Sequence, residues 1–219
     1  MVPEKILYIA DEVIQSVPMR ENGEKLVNLF EYAASRKSSL RSADGVMVRE
    51  GIADKLIQAE QFLPDEVDLF VFEGHRSSEK QNKLWQKHRD EIAKRHNDWL
   101  ESEIDAEATK LYSPPGSVMS HATGSAVDVT LLDKFENWLD MGTDINADAE
   151  STEGRTYTLA ENINEDQKRN RGMLIDALNS VGLVNYPTEW WHWSYGDQYA
   201  TFMLKQPFAI YSIIESYEK

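Results

Sequence analysis

The sequence predicts an α+β fold with a central, mostly antiparallel sheet flanked by helices. Three observations carry that expectation. Residues 67–72 and 126–132 are short, apolar and β-rich, as buried strands are. Residues 51–63 and the segment after Asn164 carry apolar stripes at helical spacing. Strand and helix patterns do not alternate regularly, which opposes a parallel βαβ sheet.

Each element follows in order. In residues 51–63, Ile52, Leu56, Ile57 and Ala59 make the helical stripe, and Pro64 stops it. The strand at 67–72 ends before Gly74. Ser78 and Gln81 have capping-box spacing. A long polar helix is expected from there to Leu111, with Trp85, Ile92 and Trp99 seven apart; Pro114, Pro115 and Gly116 end it. The second strand, 126–132, is followed by residues 140–166, where eight acids face one Arg. That segment reads as a long solvated loop. Asn164 and Gln167 repeat the capping-box spacing, and the next helix puts Met173, Leu174, Ala177, Leu178 and Val181 on one face. Gly182 stands where a C′ glycine belongs. Residues 183–195 read as aromatic-rich strand and turn. The chain is expected to be one domain over 1–219, with residues 1–45 an N-terminal extension packed on it.

Composition narrows the function. The 219 residues are 41% hydrophobic, enough to bury a core without staples. Lys and Arg number 23 and Asp and Glu 38, so the net charge is −15. That charge repels phosphate backbones and anionic lipid, so neither nucleic acid nor a membrane is an expected partner. The absence of cysteine excludes disulfides, Cys-zinc modules, iron–sulfur ligation and a Cys nucleophile. The N-terminal apolar stretch is too short for a signal segment, and no run approaches the ~18 apolar residues of a membrane span. A cytoplasmic protein is expected.

Three segments can carry chemistry. Asp128 lies inside an apolar strand, where a carboxylate needs a cation or several donors, and His121 lies just before it. Glu189 and His192 stand three apart among Trp190, Trp191 and Trp193. Alone, Asp128 reads as a satisfied core carboxylate and the Glu–His pair as incidental. Together, His121, Asp128 and His192 supply two imidazoles and one carboxylate, a common set for catalytic zinc with an open fourth position. Glu189 is then spare, where a base for the metal-bound water belongs. His75, His88 and His96 are weaker candidates; the last two fall in the polar helix, where solvated side chains are expected. Arg76, beside Gly74 at a strand end, reads alone as a surface arginine or, functionally, as an oxyanion clamp. Asp144, Asn146 and Asp148 resemble the start of an EF-hand loop. Ala149 at its sixth position and Arg155 at its twelfth oppose calcium.

Gly74-His75-Arg76, then His121-Ala122-Thr123-Gly124-Ser125-Ala126-Val127-Asp128, then Glu189-Trp190-Trp191-His192 resemble, in this order, the motifs of the M15 metallopeptidases. That group includes D-Ala-D-Ala dipeptidases and carboxypeptidases. Similarity extends through Asn170-Arg171-Gly172 and covers roughly residues 46–207. The double Trp and Met141-Gly142-Thr143 look most like the vancomycin-resistance-type dipeptidases. The resemblance implies a zinc D,D-peptidase (hedgehog/DD-peptidase-like) fold and one zinc ion on His121, Asp128 and His192. It also implies Glu189 as general base and acid, and Arg76 as stabiliser of the tetrahedral intermediate. A small peptide, D-Ala-D-Ala or similar, is the implied substrate. Ser120 is an implied substrate contact.

Departures from the pattern bear on substrate length. His75 replaces the usual Tyr, and Ser77 replaces the Pro frequent in dipeptidases. Asn146 stands where an Asp pairs with the substrate amine, leaving Asp144 or Asp148 as other anchors. Two alternatives stand beside the dipeptidase: a D,D-carboxypeptidase acting on longer peptides, and a zinc-binding domain without catalysis.

Overall fold

The computed structural model describes residues 6–215. Along the chain run α1 (Glu12–Gln15), β1 (Leu26–Asn28), α2 (Leu29–Ser35), β2 (Arg41–Ser42), β3 (Met47–Arg49), α3 (Glu50–Ala59), β4 (Val67–Glu73), α4 (Ser78–Arg95), α5 (Glu101–Ala108), β5 (Ala126–Asp133), α6 (Glu165–Ser180), β6 (Val184–Asn185), β7 (His192–Ser194) and α7 (Gln198–Met203). Short 3-10 turns cover Glu60–Phe62 and Ser120–Thr123. Five strands form the central sheet in the order β2-β4-β5-β7-β6. β2 runs parallel to β4, and the other neighbours are antiparallel. The expected α+β class is the one observed. Among the described residues, no helix is long and apolar enough to cross a membrane.

Side-chain alternation along β5 sorts core from site. Val127, Val129 and Leu131 join Leu69 and Val71 of β4, Ile52 and Leu56 of α3, and Leu174 and Leu178 of α6 in the main core. The intervening residues, Asp128 among them, face the other way. A bulge between Val71 and Glu73 shifts the register of β4, so that Glu73 pairs with Asp128. The same bulge re-aims Glu73 toward the site.

The long polar helix is two helices. α4 stops at Arg95, and α5 begins after Leu100. The intervening Asn97 and Asp98 are poor helix formers. α5 doubles back, so Ile104 and Ala108 pack with Trp85 and Ile92, and Arg89 reaches Asp105. Trp99 lies beyond the end of α4, where it packs against the same cluster and stacks on His96 at 3.8 Å between ring centroids. The N-cap is Ser77, whose hydroxyl accepts from the Lys80 amide, one residue earlier than the capping-box spacing placed it. Gln81 does not cap; its side chain turns inward to Arg76. The box at Asn164 and Gln167 forms as expected, and Gly182 takes φ +78 after α6.

Residues 6–45 contribute to the sheet through β2 and to the core through Leu29, Ala33 and Leu40. Arg49 ties this segment down. Its guanidinium donates to Glu21 and to the carbonyls of Glu24, Thr123 and Ser212.

Candidate active site

Asp128 and His192 are direct cross-strand partners in the β5–β7 ladder. Directly paired residues put their side chains on one face, about 5 Å apart at Cβ. His121 comes from the 3-10 turn just before β5, which leaves through Gly124 at φ +74. A Cβ on Gly124 would strike the Leu26 side chain, so close packing and backbone conformation both call for glycine. His121 Nδ1–H donates to the Gly74 carbonyl at 2.8 Å, and the Arg76 amide donates to the His121 carbonyl at 3.2 Å. Gly74 permits this approach: a Cβ there would lie 2.4 Å from the Met47 carbonyl.

Three donor atoms converge. His192 Nδ1 lies 3.1 Å from Asp128 Oδ1 and 3.1 Å from His121 Nε2, and His121 Nε2 lies 3.3 Å from Asp128 Oδ1. All three residues are buried. A tetrahedral ion with bonds of about 2.0–2.1 Å needs ligand atoms about 3.3 Å apart. The triangle therefore fits a zinc-sized ion. With Nδ1–H committed to Gly74, His121 presents a bare Nε2 toward the triangle, as a ligand must. Burial alone would raise the Asp128 carboxyl; the two imidazoles outweigh it and hold it well below its ordinary range.

Glu189 is buried, with Oε2 3.9 Å from His192 Nδ1. Burial, then the Asp128 charge, push its carboxyl well above the ordinary range, and Arg76 only partly offsets them. Arg76 is also buried. Its Nη1 donates to Gln81 at 2.8 Å, its Nη2 donates to Glu73 at 2.5 Å, and Nη2 lies 3.7 Å from Asp128 Oδ2. Its Nε has no hydrogen-bond partner among the described residues. The same is true of the buried Ser120 hydroxyl.

These groups line one cleft, with Tyr112, Asn146 and Tyr186. At its base the cavity is about 20 Å³, room for about one water or ion. Tyr112 and Asn146 also line two neighbouring grooves of about 500 and 400 Å³. The structure thus brings together His121, Asp128, His192, Glu189, Arg76, Ser120 and Asn146. Asp144 is exposed and lies outside the cleft, in a separate depression beside Trp138. Asp148 is taken up by Arg95 at 2.8 Å, with His88 3.6 Å away. His88 is buried rather than solvated, its ring edge-on to Tyr112.

Several residues of this neighbourhood were not read from the sequence as having a role at the site. Gln81 braces Arg76, and Tyr112 lies under the guanidinium, 5.7 Å from ring centroid to Cζ. Burial pushes the Tyr112 hydroxyl up to about 12, so it stays a donor at neutral pH. Arg171, in α6, is buried and donates to the carbonyls of Met141, Arg155, Tyr157 and Thr158. The loop so held braces the Glu189 turn: the Trp190 amide donates to the Thr156 carbonyl, and the Thr158 amide to the Pro187 carbonyl, both at 3.0 Å. The acidic segment is irregular, as expected, yet Thr156 and Thr158 are buried. Arg171 belongs to the Asn170-Arg171-Gly172 stretch, the one sequence clue to it.

Comparison with known proteins gives consistent relatives. A D-alanyl-D-alanine dipeptidase of Synechocystis sp. is 38% identical over 85 residues, which is 36% of this chain and 34% of that protein. A D-alanyl-D-alanine dipeptidase of Escherichia coli K12 is 33% identical over 73 residues, 33% of this chain and 36% of the relative. These matches thus span about a third of each relative's length. A vancomycin resistance D,D-pentapeptidase solved with Zn(II) aligns with a TM-score of 0.46 and 18% identity, covering 90% of this chain and 97% of that one. The D-ala-D-ala dipeptidase family of M15 peptidases matches residues 33–213, most of the chain, and the chain belongs to that family.

Proposed function

We propose that this chain is a zinc peptidase that hydrolyses D-Ala-D-Ala or a similar small dipeptide. One observation carries the reading: a buried triangle of zinc-ligand atoms with a spare, buried carboxylate beside it. His121, Asp128 and His192 would hold one ion. Zinc there supplies Lewis acidity, lowering the pKa of a ligated water toward ~7.

The remaining roles fall to the chain's own residues. Glu189 takes the proton of the attacking water and returns it to the leaving amine. Its raised affinity for protons suits the acid half of that cycle. Arg76 donates to the oxygen that gains negative charge, with Nε the unengaged donor. Glu73 and Gln81 hold the guanidinium in place. The Ser120 hydroxyl, free of partners among the described residues, is available to the peptide. The proposal takes the chain as a single catalytic unit, supported by β2 in the sheet and by Arg49 bridging Glu21, Thr123 and Ser212. Cytoplasmic action on a free peptide is part of it, and cell fractionation checks that part.

A second reading, a D,D-carboxypeptidase acting on longer peptides, has one observation in its favour. Among the described residues, the carboxylates lining the inner cleft are Asp128 and Glu189, given to the metal and the proton, and Asp148 in the adjoining groove is held by Arg95. Asn146 is neutral, so an α-ammonium finds no counter-charge there, whereas an amide would be matched. The test is product release from D-Ala-D-Ala, L-Ala-L-Ala and a D-Ala-D-Ala-terminated pentapeptide, with zinc and with chelator. Chelator-sensitive release from D-Ala-D-Ala alone supports the dipeptidase. Release from the pentapeptide moves the assignment to carboxypeptidase. No release with zinc bound favours a binding domain. Arg76→Ala should lower turnover about 10²–10³-fold with zinc retained. Glu189→Ala should also keep zinc and lose turnover; zinc loss instead would make Glu189 a ligand.

A further inference from the structure

We propose that Asn185 is a positioning residue, its amide clamping the turn that carries Glu189 and His192, with Thr158 fixing which way that amide faces. The inference rests on the reading of Glu189 as base and His192 as ligand. Asn185 lies in β6, paired with Trp193, and does not line the cleft. Its Nδ2 donates to the Glu189 carbonyl at 3.0 Å and to the His192 carbonyl at 3.1 Å. Each carbonyl also accepts a main-chain bond: Glu189 from the His192 amide at 3.2 Å, and His192 from the Tyr186 amide at 3.0 Å. Both oxygens of the turn thus have two donors, the usual capacity of a carbonyl.

The amide can face only one way. The Thr158 hydroxyl donates to Asn185 Oδ1 at 2.5 Å. A flipped amide would aim Oδ1 at two carbonyl oxygens and forfeit both Nδ2 bonds. Thr158 is itself anchored, through its amide to Pro187 and through its carbonyl to Arg171. The route from Arg171 through Thr158 and Asn185 therefore ends on the backbone of the base and of a ligand. Both functional side chains hang from one turn, so a relaxed turn displaces both, and a misplacement of about 1 Å costs up to about 10²-fold in rate.

The test compares Asn185→Asp, Asn185→Ala, Thr158→Val and the Thr158→Val/Asn185→Ala double variant. Asn185→Asp keeps the shape and the acceptor for Thr158 but turns a carboxylate toward two carbonyls. Four quantities are measured: kcat, KM, zinc affinity by chelator competition, and hydrogen exchange of the Glu189 and His192 amides. The Asn185 variants should lose about 10–100-fold in kcat with KM within about twofold, bind zinc about 10-fold more weakly, and exchange those amides faster. Thr158→Val should show a smaller loss of the same kind and add nothing in the Asn185→Ala background. Thr158→Val keeps the side-chain shape, so it decides the matter if the Asn185 variants do not fold. Wild-type zinc affinity and amide protection in any folded Asn185 variant, or in Thr158→Val, overturn the clamp. So do additive losses in the double variant. If the wild type cleaves none of the peptides, the catalytic reading fails, while zinc affinity and amide exchange still decide the clamp.

Discussion

Arg49 and Arg171 are buried almost equally, at 3% and 2% exposure, yet they are held differently. Arg49 meets a carboxylate, Glu21, as well as three carbonyls. Arg171 meets four carbonyls and no carboxylate within bonding distance among the described residues. Burial draws the Arg171 guanidinium down to about 10, only partly countered by Asp140, so it remains charged at neutral pH. Arg49 steadies the turn that presents His121, and Arg171 steadies the loop against the Glu189 turn. One half of the site is therefore secured by a charge pair that solvent can partly replace. The other is secured by a fork of donors matched to fixed carbonyls, for which lysine is no substitute.

Three measurements sharpen or break that contrast. Arg171→Met should be the most damaging, at about 3–5 kcal/mol in a denaturant titration, because it strands four carbonyl oxygens and opens the brace. Arg171→Lys should recover little of it. A cost under about 1 kcal/mol would mean that water satisfies the loop and the contrast is false. Glu21→Gln should cost about 1 kcal/mol, since Arg49 keeps its carbonyls and the lost carboxylate is half-exposed. High salt should shrink that difference and leave the Arg171→Met loss unchanged. The smallest effect is in acid. Burial raises the Glu21 carboxyl, but the Ser212 bonds, the Gly23 amide and Arg49 together hold it below its ordinary 4.5. A depressed carboxyl lends stability that is full above that ordinary value and is lost as pH falls through the folded one. The wild type should thus lose this contribution below about pH 4.5, and Glu21→Gln should lack that part of the slope. Carbonyls do not titrate, so Arg171→Met should change the acid slope only through Asp140, whose carboxyl is held down mainly by Gln167 and the Gly142 amide and to a smaller extent by Arg171.

The sequence was legible where a residue's chemistry clashed with its neighbours. Asp128 in an apolar strand, and Glu189 and His192 among indoles, stand out because such groups need partners. Arg76 took its role from the resemblance; its surroundings of Glu73, Gln81 and Tyr112 come from three separate segments. Arg171 showed only within the Asn170-Arg171-Gly172 likeness, with no role attached, and Asn185 was silent, for another reason. They act on backbone carbonyls, which every residue has, so no side-chain pattern announces the partner. The break between α4 and α5 was hidden because Trp85, Ile92 and Trp99 give one stripe whether the helix continues or folds back. Residues 6–45 were hard to read because α1, β1 and β2 span only two to four residues and α2 only about two turns, too few for a clear period.

The pairing of Asp128 with His192 across β5 and β7 has a further consequence. Side chains alternate along a strand, so a slip of β7 by one residue would present Trp193 to the cleft and turn His192 into the core. A misregistered chain would leave His192 on the far side of the sheet from Asp128 and His121, splitting the proposed ligand set. Ion capture would then act as a proofreading step in folding, rewarding only the chain whose strands have docked in frame.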